Sequence, residues 1–221
     1  ATRDMEIVAN DSTSELPRET VLELASALAF QLLIGEKLAS CPASMLGGVW
    51  VDAKEICAGI LGADTLSSLE VVALLRRYDL AQSTADGSLR WKHQLVAGAL
   101  AAPRLARVWR KYLGSLQQPL GDDAWIFATP FIPDLELDEY LQALFHVDLL
   151  LGARAVIELP LAGRDKGLPH IAPAVGPGAP EGVQVRGLFA VARVGTERAL
   201  AFLRNLVDRD DDELGHTAAC A

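Results

Sequence analysis

"GSLRWKHQLVAGALAAPRL", residues 87–105, joins a glycine turn and a short aromatic-basic run to an alanine-rich segment, with His93 at the junction. The fold follows from reading outward from it. Upstream, "DLAQSTADGSLRWKH" has the form of a β-hairpin: Leu80 to Gln82, a turn at Asp86–Gly87, then Leu89 to Lys92 returning. Before it, "DTLSSLEVVALLRRYDL" predicts a helix over about 66–77, with Asp64, Thr65 or Ser67 as its N-cap. Leu69, Val72, Leu75 and Leu80 would share its apolar side. Another short helix is expected at about 52–61, and Pro42 with Gly47–Gly48 should break the chain before it.

The first helix starts after Pro17. "ETVLELASALAFQLLIGEKLAS" carries apolar residues at 21, 22, 25, 28, 29, 32 and 33, a wide helical stripe. Downstream of the hairpin a helix is expected over about 93–113. Helix, helix, helix, hairpin and helix make the order of a winged-helix-like domain, residues 18–113, behind a polar lead-in, 1–17. A helical hairpin segment, 114–162, follows, with Leu137, Leu141, Leu144 and Phe145 before Asp148, which can cap "LLLGARAVIEL". Residues 163–182 hold five glycines and four prolines and predict a linker or surface loop.

Residues 183–221 are read as incomplete repeats. "VQVRGLFAVA" (183–192) aligns with "DELGHTAACA" (212–221), 29 positions on (183 against 212), with a turn at Gly195 and a second helix between them. Two helices per such period is the rhythm of an α-solenoid. Leu188, Ala192, Ala199, Phe202 and Leu206 should share its buried interface. The fold class expected is therefore mainly α, with one small β-hairpin.

Composition agrees with packed helices: 51% of residues are hydrophobic but only 6% aromatic, so the apolar content is aliphatic and alanine. The net charge of −9 argues against binding to nucleic acid or an anionic membrane. Arg104, Arg107, Arg110 and Lys111 form a local basic run, expected as a solvated helical face. Cys41, Cys57 and Cys220 are scattered without metal spacing, as reduced thiols of a cytoplasmic protein would be. The most apolar run, residues 24–35, is too short to span a bilayer and has no basic leader. The missing initial methionine and the ending "HTAACA" suggest an excised piece.

No phosphate-binding loop is present: Gly35 and Lys37 lack its spacing and sit inside a predicted helix. No nucleophile elbow, zinc-protease motif or calcium loop occurs, and His93, His146, His170 and His216 are dispersed. Asp208, Asp210, Asp211, Asp212 and Glu213 read as a solvated, helix-capping turn. No catalytic or metal site is expected.

The stretch "LRRYDLAQSTADGSLRWKHQLVAGALAA" (75–102) resembles the winged-helix end of NACHT-type STAND NTPases, where an aromatic-x-His follows the wing and a helix ends in Ala-Ala. Trp91, His93, Leu95 and Ala101–Ala102 carry the likeness. "DDAWIFATPFIPDLELDEYLQALFHVDLLLGARAV" (122–156) looks like the helical segment after the wing, and the tail looks like HEAT repeats. One departure stands at Ala97, in a helix where relatives often carry an acid.

The resemblance implies a regulatory and sensing segment lying after the NTPase core of a switch protein, in relatives often one of prokaryotic defence signalling. It implies that His93 senses nucleotide by contacting the bound diphosphate. ATP/ADP or GTP/GDP and Mg would belong to the parent, with no cofactor in this chain. The partners implied are the intramolecular NTPase core or a protein ligand, with oligomerisation on activation of the parent. A free-standing helical-repeat scaffold is the alternative expectation.

Overall fold

The computed structural model describes residues 16–56, 66–85, 88–117, 121–176 and 178–207. The chain is mainly helical with one three-stranded antiparallel sheet, in strand order β1-β3-β2. Its first half runs α1 (Arg18–Phe30), β1 (Ser40–Cys41), α2 (Ala43–Ile56), α3 (Ser68–Arg77), β2 (Ala81–Ser83), β3 (Leu89–Trp91) and α4 (Gln94–Val108). Helix, strand, helix, helix, strand, strand, with the first strand closing on the third, is winged-helix topology. The two strands of the expected hairpin pair, with Ala81 opposite Trp91 and Ser83 opposite Leu89; its expected turn, Asp86–Gly87, lies outside the described residues. β1 was not anticipated; it adds Cys41 opposite Leu89 on the other edge of β3. Leu89 and Trp91 point into the core and Arg90 points out, as period-two alternation requires.

Helix α2 corrects two expectations. It begins at Ala43 rather than near 52, and it runs through Gly47–Gly48 without a break. A Cβ on either glycine would meet nothing within 4 Å. Both therefore lie on the open side, while Leu46, Val49, Trp50 and Ala53 bury the opposite stripe. Residues 57–61, with Cys57, lie outside the described residues. α3 occupies its expected place, and Ser67 is the cap. Its hydroxyl accepts from the Glu70 amide at 3.3 Å, and Glu70 accepts in return from the Ser67 amide at 2.7 Å. Leu69 is 66% exposed, contrary to the predicted stripe; Val71, Val72, Leu74 and Leu75 form the buried side.

In α1, Leu22 also faces outward, while Val21, Ala25, Leu28 and Ala29 are buried as the stripe predicts. The helix ends in a π-helical turn, Gln31–Gly35. α4 starts one residue after His93 and passes into a 3₁₀ segment, Trp109–Gln117, that outruns the expected end at 113. Its buried face is small: Ala97, Gly98, Ala101, Ala102 and Leu105. That face packs against α1 and α5 (Asp122–Ala128). A Cβ at Gly98 would stand 2.9 Å from the Asp123 Cβ and 3.1 Å from the Ala124 nitrogen. The alanine-rich composition thus becomes close helix-to-helix approach.

The basic run is not one solvated face. Arg104 turns inward, donating to the Ser26 hydroxyl at 3.2 Å and pairing with Glu23 at 2.8 Å. Arg110 forks onto Glu136 and Glu139 and lies over the Trp109 ring. Arg107 is exposed.

The second half contains α6 (Asp134–Val147) and α7 (Leu149–Ile157), the expected helical hairpin, with Leu137, Leu141, Leu144 and Phe145 all buried. Asp148 caps α7 by accepting from the amides of Leu150 at 2.7 Å and Leu151 at 3.0 Å. The span 163–182 departs from the predicted linker. It forms a 3₁₀ segment, Leu161–Gly167, then α8 (Leu168–Ile171) and a second 3₁₀ turn, Ala172–Val175. Ile171 and Val175 are buried. Pro169 and Pro173 stand in the first two positions of these turns, where the missing N–H has no helical role.

α9 (Glu181–Val194) then packs against α7, and Gly195, left-handed at φ 67°, turns the chain into α10 (Glu197–Val207). Thr196 caps α10 by accepting from the Ala199 amide at 3.1 Å. Leu188, Ala199 and Leu206 are buried; Ala192 and Phe202 are only half-buried. The repeat proposed over 212–221, the acidic run 208–213, His216 and Cys220 lie outside the described residues. One hydrophobic cluster runs from Leu24 to Leu206. No helix among the described residues is long and apolar enough to cross a membrane.

Candidate functional site

His93 stands where β3 gives way to α4. The sheet buries Trp91, and the next residue, Lys92, turns outward to pair with Asp79 and donates its amide to the Leu80 carbonyl at 3.0 Å. Asp79 is left-handed at φ 59°, which closes the turn from α3 into the wing. His93 is extended (φ −138°, ψ 137°) and is the N-cap of α4. Its carbonyl accepts from the amides of Val96 at 3.1 Å and Ala97 at 3.4 Å. Its imidazole makes no capping bond and is exposed.

An exposed imidazole at a helix N-terminus has a defined chemical competence. It can donate to an anionic oxygen, and the partial positive charge of the helix end acts in the same sense. Among the described residues no carboxylate orients the ring as a general base would require. Neighbouring Leu95 is 56% exposed and Trp91 is a core residue, so the "RWKHQL" stretch alternates between packing and solvent.

The other singled-out residues disperse. His170 bonds Asp138 at 3.1 Å and stacks on Phe145 at 5.5 Å, a packing role tying α8 to α6. His146 lies on a shallow groove with Trp109, Glu139 and Gln142. The Cys41 thiol is buried, and burial, assisted by the Glu36 charge, pushes its pKa up, against reactivity. Among the described residues no group of three or more His, Cys, Asp or Glu could hold a metal ion.

Two concave features escaped sequence reading. A cleft of about 410 Å³ lies among α5, α7 and α9, with Asp122, Asp148, Arg154 and Arg193 on its walls. Desolvation raises the Asp122 carboxyl above the usual carboxylate range; Asp123 and Asp148 act in the same direction, while Arg154 opposes. A groove of about 350 Å³ runs between α8 and α10. Each draws residues from separate elements, so no spacing along the chain announces it. Compared with known proteins, the chain matches no family model, no curated protein and no solved structure.

Proposed function

We propose that this chain is the regulatory and sensing segment of a STAND-type signalling NTPase: a winged-helix lid followed by the start of a HEAT-like helical array. The observation that carries this reading is the exposed imidazole of His93, which makes no capping bond, at the N-terminus of α4 directly after the wing. The element order from α1 to α4 supports it. In the closed state His93 donates to a phosphate oxygen of a diphosphate held by the parent's core, which supplies the phosphate loop and the Mg-binding acid. A protein ligand engaging the array shifts the lid toward the open state by binding that state more tightly. Defence signalling in a prokaryotic cytoplasm, with oligomerisation on activation, completes the proposal.

The test is made in the parent protein. His93→Ala should weaken ADP retention roughly ten- to a hundredfold, the worth of a charge-assisted hydrogen bond, and raise basal activity. Trp91→Ala should instead lower the melting temperature. The reading is lost if His93→Ala leaves ADP affinity unchanged and destabilises as Trp91→Ala does.

The alternative, a free-standing helical-repeat scaffold without a nucleotide role, draws on the hydrophobic cluster joining the winged-helix half to the helices after it. Partner binding indifferent to both nucleotide and His93→Ala would favour it.

A further inference from the structure

We propose that the groove between α8 and α10 binds an aliphatic chain bearing a single carboxylate. The groove lies where α10, of 11 residues, faces α8, of 4, and the start of the 3₁₀ turn after it. Arg198, Ala201 and Asn205 on this α10 face are exposed. Leu168, Pro169 and Ala172 form one wall; Ala201 and Phe202 form the other. Half-burial of Phe202, at a position predicted to be core, follows from this opening. At about 350 Å³ the space falls within the range of small-molecule sites.

Arg198 and Asn205 lie on the same face of α10 as Ala201 and Phe202. Their seven-residue separation puts them about 10.5 Å apart along the helix axis. Among the described residues, Arg198 is the single charged side chain lining the groove, and it pairs with no carboxylate. Arg104, Arg110, Arg154 and Arg186 are each matched to one. Asn205 adds only a neutral amide. The apolar walls select hydrocarbon, and the lone guanidinium selects an anion over a cation. This inference goes beyond the nucleotide role and does not depend on it.

Isothermal titration of the full chain with octanoate, 1-octanol and octylamine tests the idea. Saturable one-to-one binding of octanoate is expected, about tenfold tighter than octanol, with octylamine weakest. Arg198→Gln should bring octanoate down to the octanol level while leaving octanol unchanged, and Arg198→Lys should restore much of the difference. Ala201→Leu should block both, with the circular dichroism spectrum unchanged. No saturable octanoate binding, equal binding of octylamine, multiple equivalents per chain, or indifference to Arg198→Gln would each overturn the proposal.

Discussion

Two positions apart, Trp91 and His93 occupy opposite environments: the indole is 3% exposed, and the imidazole stands in solvent at the start of α4. Truncating the indole removes apolar burial and leaves a cavity, so Trp91→Ala should cost about 3–5 kcal/mol of unfolding free energy. His93→Ala loses neither a cap bond nor core contact and should stay within about 0.5 kcal/mol. Urea denaturation of the two variants checks the contrast. Asp122 yields a prediction of opposite sign. Its carboxyl is desolvated against α7, so its folded pKa lies above the ordinary 3.8 and the folded state holds the proton to higher pH than the unfolded state does. That contribution is fully present below 3.8 and fades as pH rises through the raised value. Asp122→Asn should therefore raise the melting temperature at pH 7 and flatten its decline above pH 3.8. A lower melting temperature at pH 7 would contradict the desolvation account.

Between elements, the α4–α5 crossing depends on one missing methyl. In an isolated helix Gly→Ala gains about 1 kcal/mol of propensity. At Gly98 the added Cβ would come within 2.9 Å of the Asp123 Cβ and 3.1 Å of backbone, so α5 must move. Overpacking of this kind costs about 1–3 kcal/mol, and Gly98→Ala should be destabilising overall in thermal melts. Asp148 was legible as a cap, and Ser67 as one of three candidates, because capping is a local hydrogen bond whose donors follow within three residues. Gly47–Gly48 misled because their helix-breaking tendency is weak beside the burial of Trp50 and its neighbours. The turns over 161–175 were hidden because prolines at first-turn positions initiate short helices as readily as they mark loops. β1 is two residues long, too short for any alternation, and exists only because β3 has a free edge. His93 was legible as an outlying polar group between strand and helix; the two concavities depend on tertiary approach and were not.

At the scale of the whole molecule, the segment between the helical hairpin and α9 is built in rather than strung between parts. Arg164 donates to the Leu159 carbonyl at 3.1 Å, Lys166 pairs with Asp134 at 2.8 Å, and Thr196 donates to Asp165. Trypsin should therefore cut slowly after Arg164 and Lys166 under native conditions. Unfolding followed by tryptophan fluorescence and by far-ultraviolet circular dichroism should give one coincident transition. Separate midpoints would show that the two halves melt independently. The Arg104–Glu23 clamp between α4 and α1 bridges 81 positions of sequence. With translation at about 5–20 residues per second, Glu23 and the apolar stripe around it wait roughly 4 to 16 s before Arg104 has even been added to the nascent chain. For that interval the side of "LASALAFQLLI" that will meet α4 has no mate, although α2 and α3 can already pack on the helix, so a ribosome-associated chaperone would find its apolar surface there until the wing and α4 have been synthesised.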